Sequence, residues 1–304
     1  MALLLGFLGV LGFSFSLPAT RLAVEDLDPF FVGCGRAVVA AGLAAAWLAL
    51  TRAPAPGRRL RRKLVLVSAG VVLGFPLLTS LALRDLPASH AAVIVGILPA
   101  ATAVAAVIRA GERPSRGFWL ASAAGLVAAL GFAAEQGAGA PRPADALLLG
   151  AVALCALGYA EGAVVSRDLG GPATISWALV YSLPVTAAGA GVALVAGGGA
   201  GADAVSWLGF AYVSLVSMFL GFFAWYAGLA RGGVARIGQV QLVQGPLTLV
   251  WSALLLDEQV GALTVLAALA VLVSVVFTQR ARVDAEPPVA ATPDGRERLL
   301  ASEP

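Results

Sequence analysis

Runs of about 20 apolar residues recur along the chain, separated by short stretches that hold its charges, prolines and glycines. A bilayer core about 30 Å thick is crossed by roughly 20 residues of α-helix at 1.5 Å rise each. Cutting at the charged and Pro/Gly-rich breaks predicts ten such segments, near 2–18, 29–50, 64–83, 88–109, 117–134, 145–166, 173–196, 204–229, 234–256 and 260–279. In lipid every backbone polar group must be satisfied within its own segment, so these runs read as helices. The ten-residue alternation of a membrane barrel is missing. The first run has no basic residue before it, and Leu17-Pro18-Ala19 is a weak cleavage pattern, so a retained helix is expected rather than a signal peptide.

Composition narrows the class. Of 304 residues, 60% are hydrophobic and 12% charged, against roughly 45–50% and about 25% in soluble domains. The mean hydropathy is +0.91. The expected fold class is therefore an all-α integral membrane protein with ten transmembrane helices, and the lipid bilayer is its first partner. A net charge of +3 gives no reason to expect nucleic-acid binding. Cys34 and Cys155 stand far apart in apolar runs, which argues against a disulfide framework or a metal site. No phosphate-binding glycine loop with Lys and Ser/Thr is present, and a single histidine weakens hydrolase readings. No cofactor is expected.

The basic residues set the orientation, because Lys and Arg in short loops stay cytoplasmic. Alternate loops and the tail hold 16 of them, led by Arg52, Arg58, Arg59, Arg61, Arg62 and Lys63. The intervening loops hold three: Arg21, Arg84 and Arg142. This split predicts a multi-pass protein of the cell inner membrane with both termini cytoplasmic.

The two halves echo each other. Pro99 is followed by Gly111-Glu112-Arg113, and Pro246 by Asp257-Glu258; the prolines are 147 residues apart and the glutamates 146. Each half then has five helices, with a helix-breaking proline in the fourth. Five is odd, so the second half is expected to be inverted, as in secondary transporters whose substrate site lies between the repeats. The expected division is 1–140, 141–280, and a disordered cytoplasmic tail over 281–304.

Ten helices as a 5+5 repeat, Arg36 in helix 2, Pro99 with Gly111-Glu112-Arg113, and Pro246 with Asp257-Glu258 together resemble the EamA-type family of the drug/metabolite transporter superfamily. The resemblance covers about residues 1–280. It implies a ten-helix inverted-repeat fold and transport of small metabolites across a bacterial inner membrane, often outward, with no particular substrate. Glu161 inside helix 6, and Gln239, Gln241 and Gln244 in helix 9, depart from the commoner pattern.

Polar groups at membrane depth are costly and so mark candidate sites. Glu161 is the candidate proton-coupling group, the alternative being that it snorkels toward Arg167. Arg36 suits an anionic substrate group, since guanidinium binds carboxylate through two parallel bonds; equally it suits carbonyls freed by a broken helix. His90 reads as interfacial. Gln241, Gln244 and Thr248 share one helical face and make either a neutral substrate-binding wall or interhelical glue. Tyr159, Ser214, Ser217, Trp225 and Tyr226 suggest an aromatic pocket, with an interfacial aromatic belt as the rival for the last two. Gly70-xxx-Gly74 and Gly158-xxx-Gly162 permit close helix approach, inside the chain or in a homodimer.

The expected function is a secondary transporter of a small polar metabolite or drug-like molecule, not an enzyme. It is expected to export by alternating access with proton coupling, around a cavity lined by helices 1, 3, 4, 6, 8 and 9. The alternative is a membrane-embedded enzyme or sensor that translocates nothing.

Overall fold

The computed structural model describes residues 1–86, 88–135, 142–197, 201–247, 251, 262–281 and 283–285. They wind into helical rods at the positions that the apolar runs predict. We number them α1 (Ala2–Asp26), α2 (Pro29–Leu50), α3 (Arg58–Asp85), α4 (Ala88–Val95 and Leu98–Ala110), α5 (Arg116–Glu135), α6 (Pro143–Leu169), α7 (Gly171–Val195) and α8 (Ala204–Gly232). The ninth, α9, runs Val234–Gly238, tightens to a 3₁₀ turn over Gln239–Val243 and is helical again at 244–247. The tenth, α10, is Ala262–Arg280. Among the described residues, α1, α2, α3, α6, α7 and α8 are long and apolar enough to cross a membrane. This is a multi-pass, all-helical architecture.

Several rods are bent, and the sequence accounts for four of the bends. In α1 the helix breaks at Phe15 (φ −97°, ψ 3°), because Pro18 has no N–H and its ring clashes with the carbonyl of Ser14. The rod resumes and continues to Asp26, well beyond the predicted end at 18. In α4 a turn at 96–97 precedes Pro99, which sits in the first turn of the resumed segment, where a missing N–H costs nothing. In α9 the 3₁₀ stretch precedes Pro246 in the same way. Ser68–Gly74 of α3 and Val213–Leu220 of α8 are π-helical; Pro76 follows the first, and its missing N–H and ring disturb the carbonyl of Val72, while no proline accompanies the second.

Helix starts recur at a fixed interval. Arg58 and Ala204, Ala88 and Val234, and Arg116 and Ala262 each stand 146 residues apart (204 − 58, 234 − 88, 262 − 116). Packing follows the same exchange. α1 lies on α8 as α6 lies on α3, while α2 pairs with α7, α4 with α9 and α5 with α10. The glycine stripes act inside the chain: a Cβ on Gly70 would strike the Leu154 carbonyl and the Gly158 backbone, and one on Gly162 would strike the Tyr226 ring.

Helix ends are tied by acids. Asp28 caps α2 through the N–H groups of Phe30 (2.9 Å) and Phe31 (3.0 Å), and Asp203 caps α8 through that of Ser206 (2.7 Å). The Ser206 N–H holds the Asp203 carboxyl below its ordinary value. Asp26 accepts from the Asp203 N–H and the Ser206 hydroxyl, both at 3.1 Å, joining the end of α1 to the start of α8.

One expectation needs correction. The chain after α10 does not begin as loose tail, because strand β2 (Val283–Ala285) pairs antiparallel with β1 (Glu112–Pro114), Glu112 opposite Ala285. A strand so short holds because its base is fastened: Arg236 Nη2 donates to the Ala281 carbonyl (2.8 Å) and Gln279 Nε2 to that of Arg236 (2.7 Å). Residues 286–304 lie outside the described residues.

Candidate functional site

The bends converge on one partly open cavity of about 30 Å³. Phe13, Ser16 and Leu17 reach it from the break in α1, and Val71 and Phe75 from the π segment of α3 and the turn after it. Val95 enters just before the turn in α4, Cys155 and Tyr159 from α6, Ser217 and Phe222 from α8, and Gln241 and Gln244 from α9. The remaining wall is Arg36 of α2. Both repeats contribute. Helix 2 was missing from the expected lining; the others are those the sequence named.

Five residues proposed for substrate binding therefore meet in one place: Arg36, Tyr159, Ser217, Gln241 and Gln244. Thr248 and the acids Asp257 and Glu258 lie outside the described residues, as does the side chain of His90. Arg36 is 3% exposed. Its Nη2 donates to Ser217 Oγ at 3.3 Å, Ser16 Oγ lies 2.8 Å from the same oxygen, and Nε has no partner. Among the described residues no freed carbonyl is one of its partners. Among the described residues no carboxylate lies within ion-pair distance of it. Gln241 Nε2 lies 3.4 Å from the Tyr159 hydroxyl, and its Oε1 has no partner.

Two other polar groups in these helices serve packing. Gln239 accepts from Ser122 Oγ (3.1 Å) and donates to the Pro99 carbonyl (3.1 Å), so both ends of its amide are used as interhelical glue. Ser214 donates to the Phe210 carbonyl at 2.6 Å within its own helix.

Trp225 and Tyr226 are not an interfacial belt. Both are fully buried. The Trp225 ring meets Tyr159 at 5.2 Å and Phe13 at 6.0 Å, and Tyr226 donates to the Gly158 carbonyl at 3.2 Å. The close approach of α6 to α3 and α8 at its glycines seals both aromatics inside.

Glu161 is buried away from the cavity lining, at the end of the bundle that carries the basic loops. Arg109 grips its Oε2 through Nε (2.9 Å) and Nη2 (2.8 Å), and Lys63 Nζ lies 3.5 Å from Oε1. It does not reach toward Arg167, which stands 3.8 Å from Glu112 instead. The cluster joins α3, α4 and α6. Sequence reading found the acid but not its cations, because Lys63 and Arg109 sit among loop-flanking bases where every charge looks solvated.

The remaining polar anchor is Glu112. Gly111, at φ +66°, ends α4 in the left-handed turn that glycine permits, and aims the next side chain across the molecule. The Glu112 carboxylate accepts from the N–H groups of Val234 (2.6 Å) and Ala235 (2.7 Å), the exposed donors at the start of α9.

The EamA-like transporter family matches residues 1–134 and 142–280, one repeat in each half. The chain belongs to this family. It is 46% identical over 275 residues to the uncharacterized transporter YdeK of Bacillus subtilis (strain 168), covering 90% of this chain and 96% of that one. A solved crystal structure superposes with a TM-score of 0.73 at 17% identity, over 91% of this chain and 97% of the other. That likeness is one of fold. As an EamA-like protein, this chain is a membrane transporter built from two repeats, and the cavity between the repeats is its candidate substrate site.

Proposed function

We propose that the chain is a secondary transporter moving a small polar metabolite across a bacterial inner membrane, outward, by alternating access. The observation that carries this reading is the convergence of helices from both repeats on one cavity with buried, unpaired polar atoms. Ten crossings, both termini cytoplasmic, follow from the basic-loop pattern. The symmetric packing supports an inverted relation: α1 on α8 matches α6 on α3, as a twofold axis between five-helix halves requires, and an odd number of crossings per half turns the second upside down.

In this reading the Glu161 cluster is a latch on the cytoplasmic side. Proton uptake by the carboxyl removes its attraction to Arg109 and Lys63 and unties α3, α4 and α6 at that end. Coupling would thus act through the latch, outside the substrate cavity.

The test is two-sided access. In a variant with Cys34 and Cys155 replaced, Gln244→Cys is labelled with a membrane-impermeant maleimide from either face of oriented vesicles. Labelling from both faces is expected of a transporter. Labelling from one face alone overturns the reading in favour of a membrane-embedded enzyme or sensor.

A further inference from the structure

Among the described residues the cavity holds one full charge and nothing to balance it. Arg36 is buried, points a guanidinium into the space, and finds a serine hydroxyl as its one hydrogen-bond partner. A cation taken out of water with no counter-charge is costly, and the cost falls when an anion arrives. Ser217 cannot supply that charge. It fixes the guanidinium, because its oxygen receives Nη2 while Ser16 holds it from the facing helix.

The orphan atoms have a definite chemistry. Arg36 Nε is an N–H donor without an acceptor, and Gln241 Oε1 is an acceptor without a donor. Both belong to side chains in the cavity wall and both are buried. A ligand that satisfies them carries an anionic oxygen pair for the guanidinium fork and a neutral O–H or N–H donor for the amide. Phe13, Leu17, Val71, Phe75, Val95 and Phe222 form the apolar part of the wall, which suits a hydrocarbon or aromatic body. Among the described residues no carboxylate lines the cavity to pair with an ammonium.

From this, and resting on the transport reading above, we infer that the substrate is a small monoanionic carboxylic acid with an apolar body and a hydroxyl or amide donor near the carboxylate. Arg36 is the group that selects it over neutral and cationic analogues.

Three probes of nearly one shape isolate the charge: mandelate, its neutral amide mandelamide, and the zwitterion phenylglycine. Each is titrated into the purified full-length protein in detergent, with binding read from quenching of intrinsic tryptophan fluorescence and from thermal stabilisation. Mandelate is expected to bind about tenfold or more tightly than the other two, the scale of one well-made hydrogen-bonded charge contact. Arg36→Gln is expected to abolish that preference and leave the amide's binding as it was, while Arg36→Lys, which keeps the charge and loses the fork, retains part of it. Equal or better binding of mandelamide or phenylglycine to the wild type overturns the inference, and so does no binding of mandelate. The wild-type series stands alone if the Arg36 variants do not fold. Two-sided labelling of Gln244→Cys is independent of any ligand, so failure of the substrate class and failure of the transport reading give different results.

Discussion

The Glu112 carboxylate accepts the backbone N–H of Val234 at 2.6 Å, across 122 positions of sequence. One repeat thereby caps a helix of the other, and that helix carries Gln241 and Gln244 into the cavity. The turn at Gly111 and the β1–β2 pair hold the acid where it is needed.

Removing this cap is the first prediction. Hydrogen bonds to a charged acceptor contribute about 1.5–3 kcal/mol, and Glu112 makes two that begin a helix. Glu112→Ala is expected to lower stability by about that amount, and Glu112→Gln by less, since an amide oxygen still accepts. Thermal unfolding in detergent measures both. An alanine variant melting with the wild type would show that water satisfies the α9 donors equally well.

The second concerns the Glu161 cluster, where the partners are unequally buried: the Glu161 side chain is 2% exposed, Arg109 41% and Lys63 28%. Arg109→Ala leaves a buried carboxylate with Lys63 as its one cation among the described residues, whereas Glu161→Gln leaves two cations that water can reach. The arginine variant is therefore expected to be the more destabilising, by about 2 kcal/mol against about 1 kcal/mol, below the range for fully buried pairs. A double-mutant cycle by chemical denaturation checks the order. The reverse order would place the cost in the cations.

The third separates core from interface. Trp225 is fully buried against Phe13 and Tyr159, so Trp225→Ala is expected to cost about 3–5 kcal/mol. Trp207 is 40% exposed at the start of α8, and its removal is expected to cost roughly 1 kcal/mol. Comparable losses in the two melting curves would restore the belt reading for Trp225.

The sequence foretold the rods and much of the cavity because both follow from local rules. Apolar length set the helices, prolines placed the turn in α4 and the 3₁₀ stretch in α9, and polar residues inside apolar runs pointed to Arg36, Tyr159, Ser217, Gln241 and Gln244. What it missed depends on partners distant in sequence. Gln239 and Gln241 look alike on paper, and the approach of Ser122 and the Pro99 carbonyl satisfies both ends of the first while the second keeps an unpaired oxygen. Trp225 has the company of an interfacial residue until α6 closes over it. The π segment of α8 has no proline to betray it, and the strand after α10 exists because Arg236 and Gln279 fasten its root.

The 3₁₀ stretch over Gln239–Val243 has a mechanical consequence. Wound at about 2.0 Å per residue, its five residues are roughly 2.5 Å longer than the same stretch as α-helix. Rewinding that single stretch would screw both cavity amides along and around the rod axis while its Glu112 end stayed fixed, reshaping the cavity wall without a hinge.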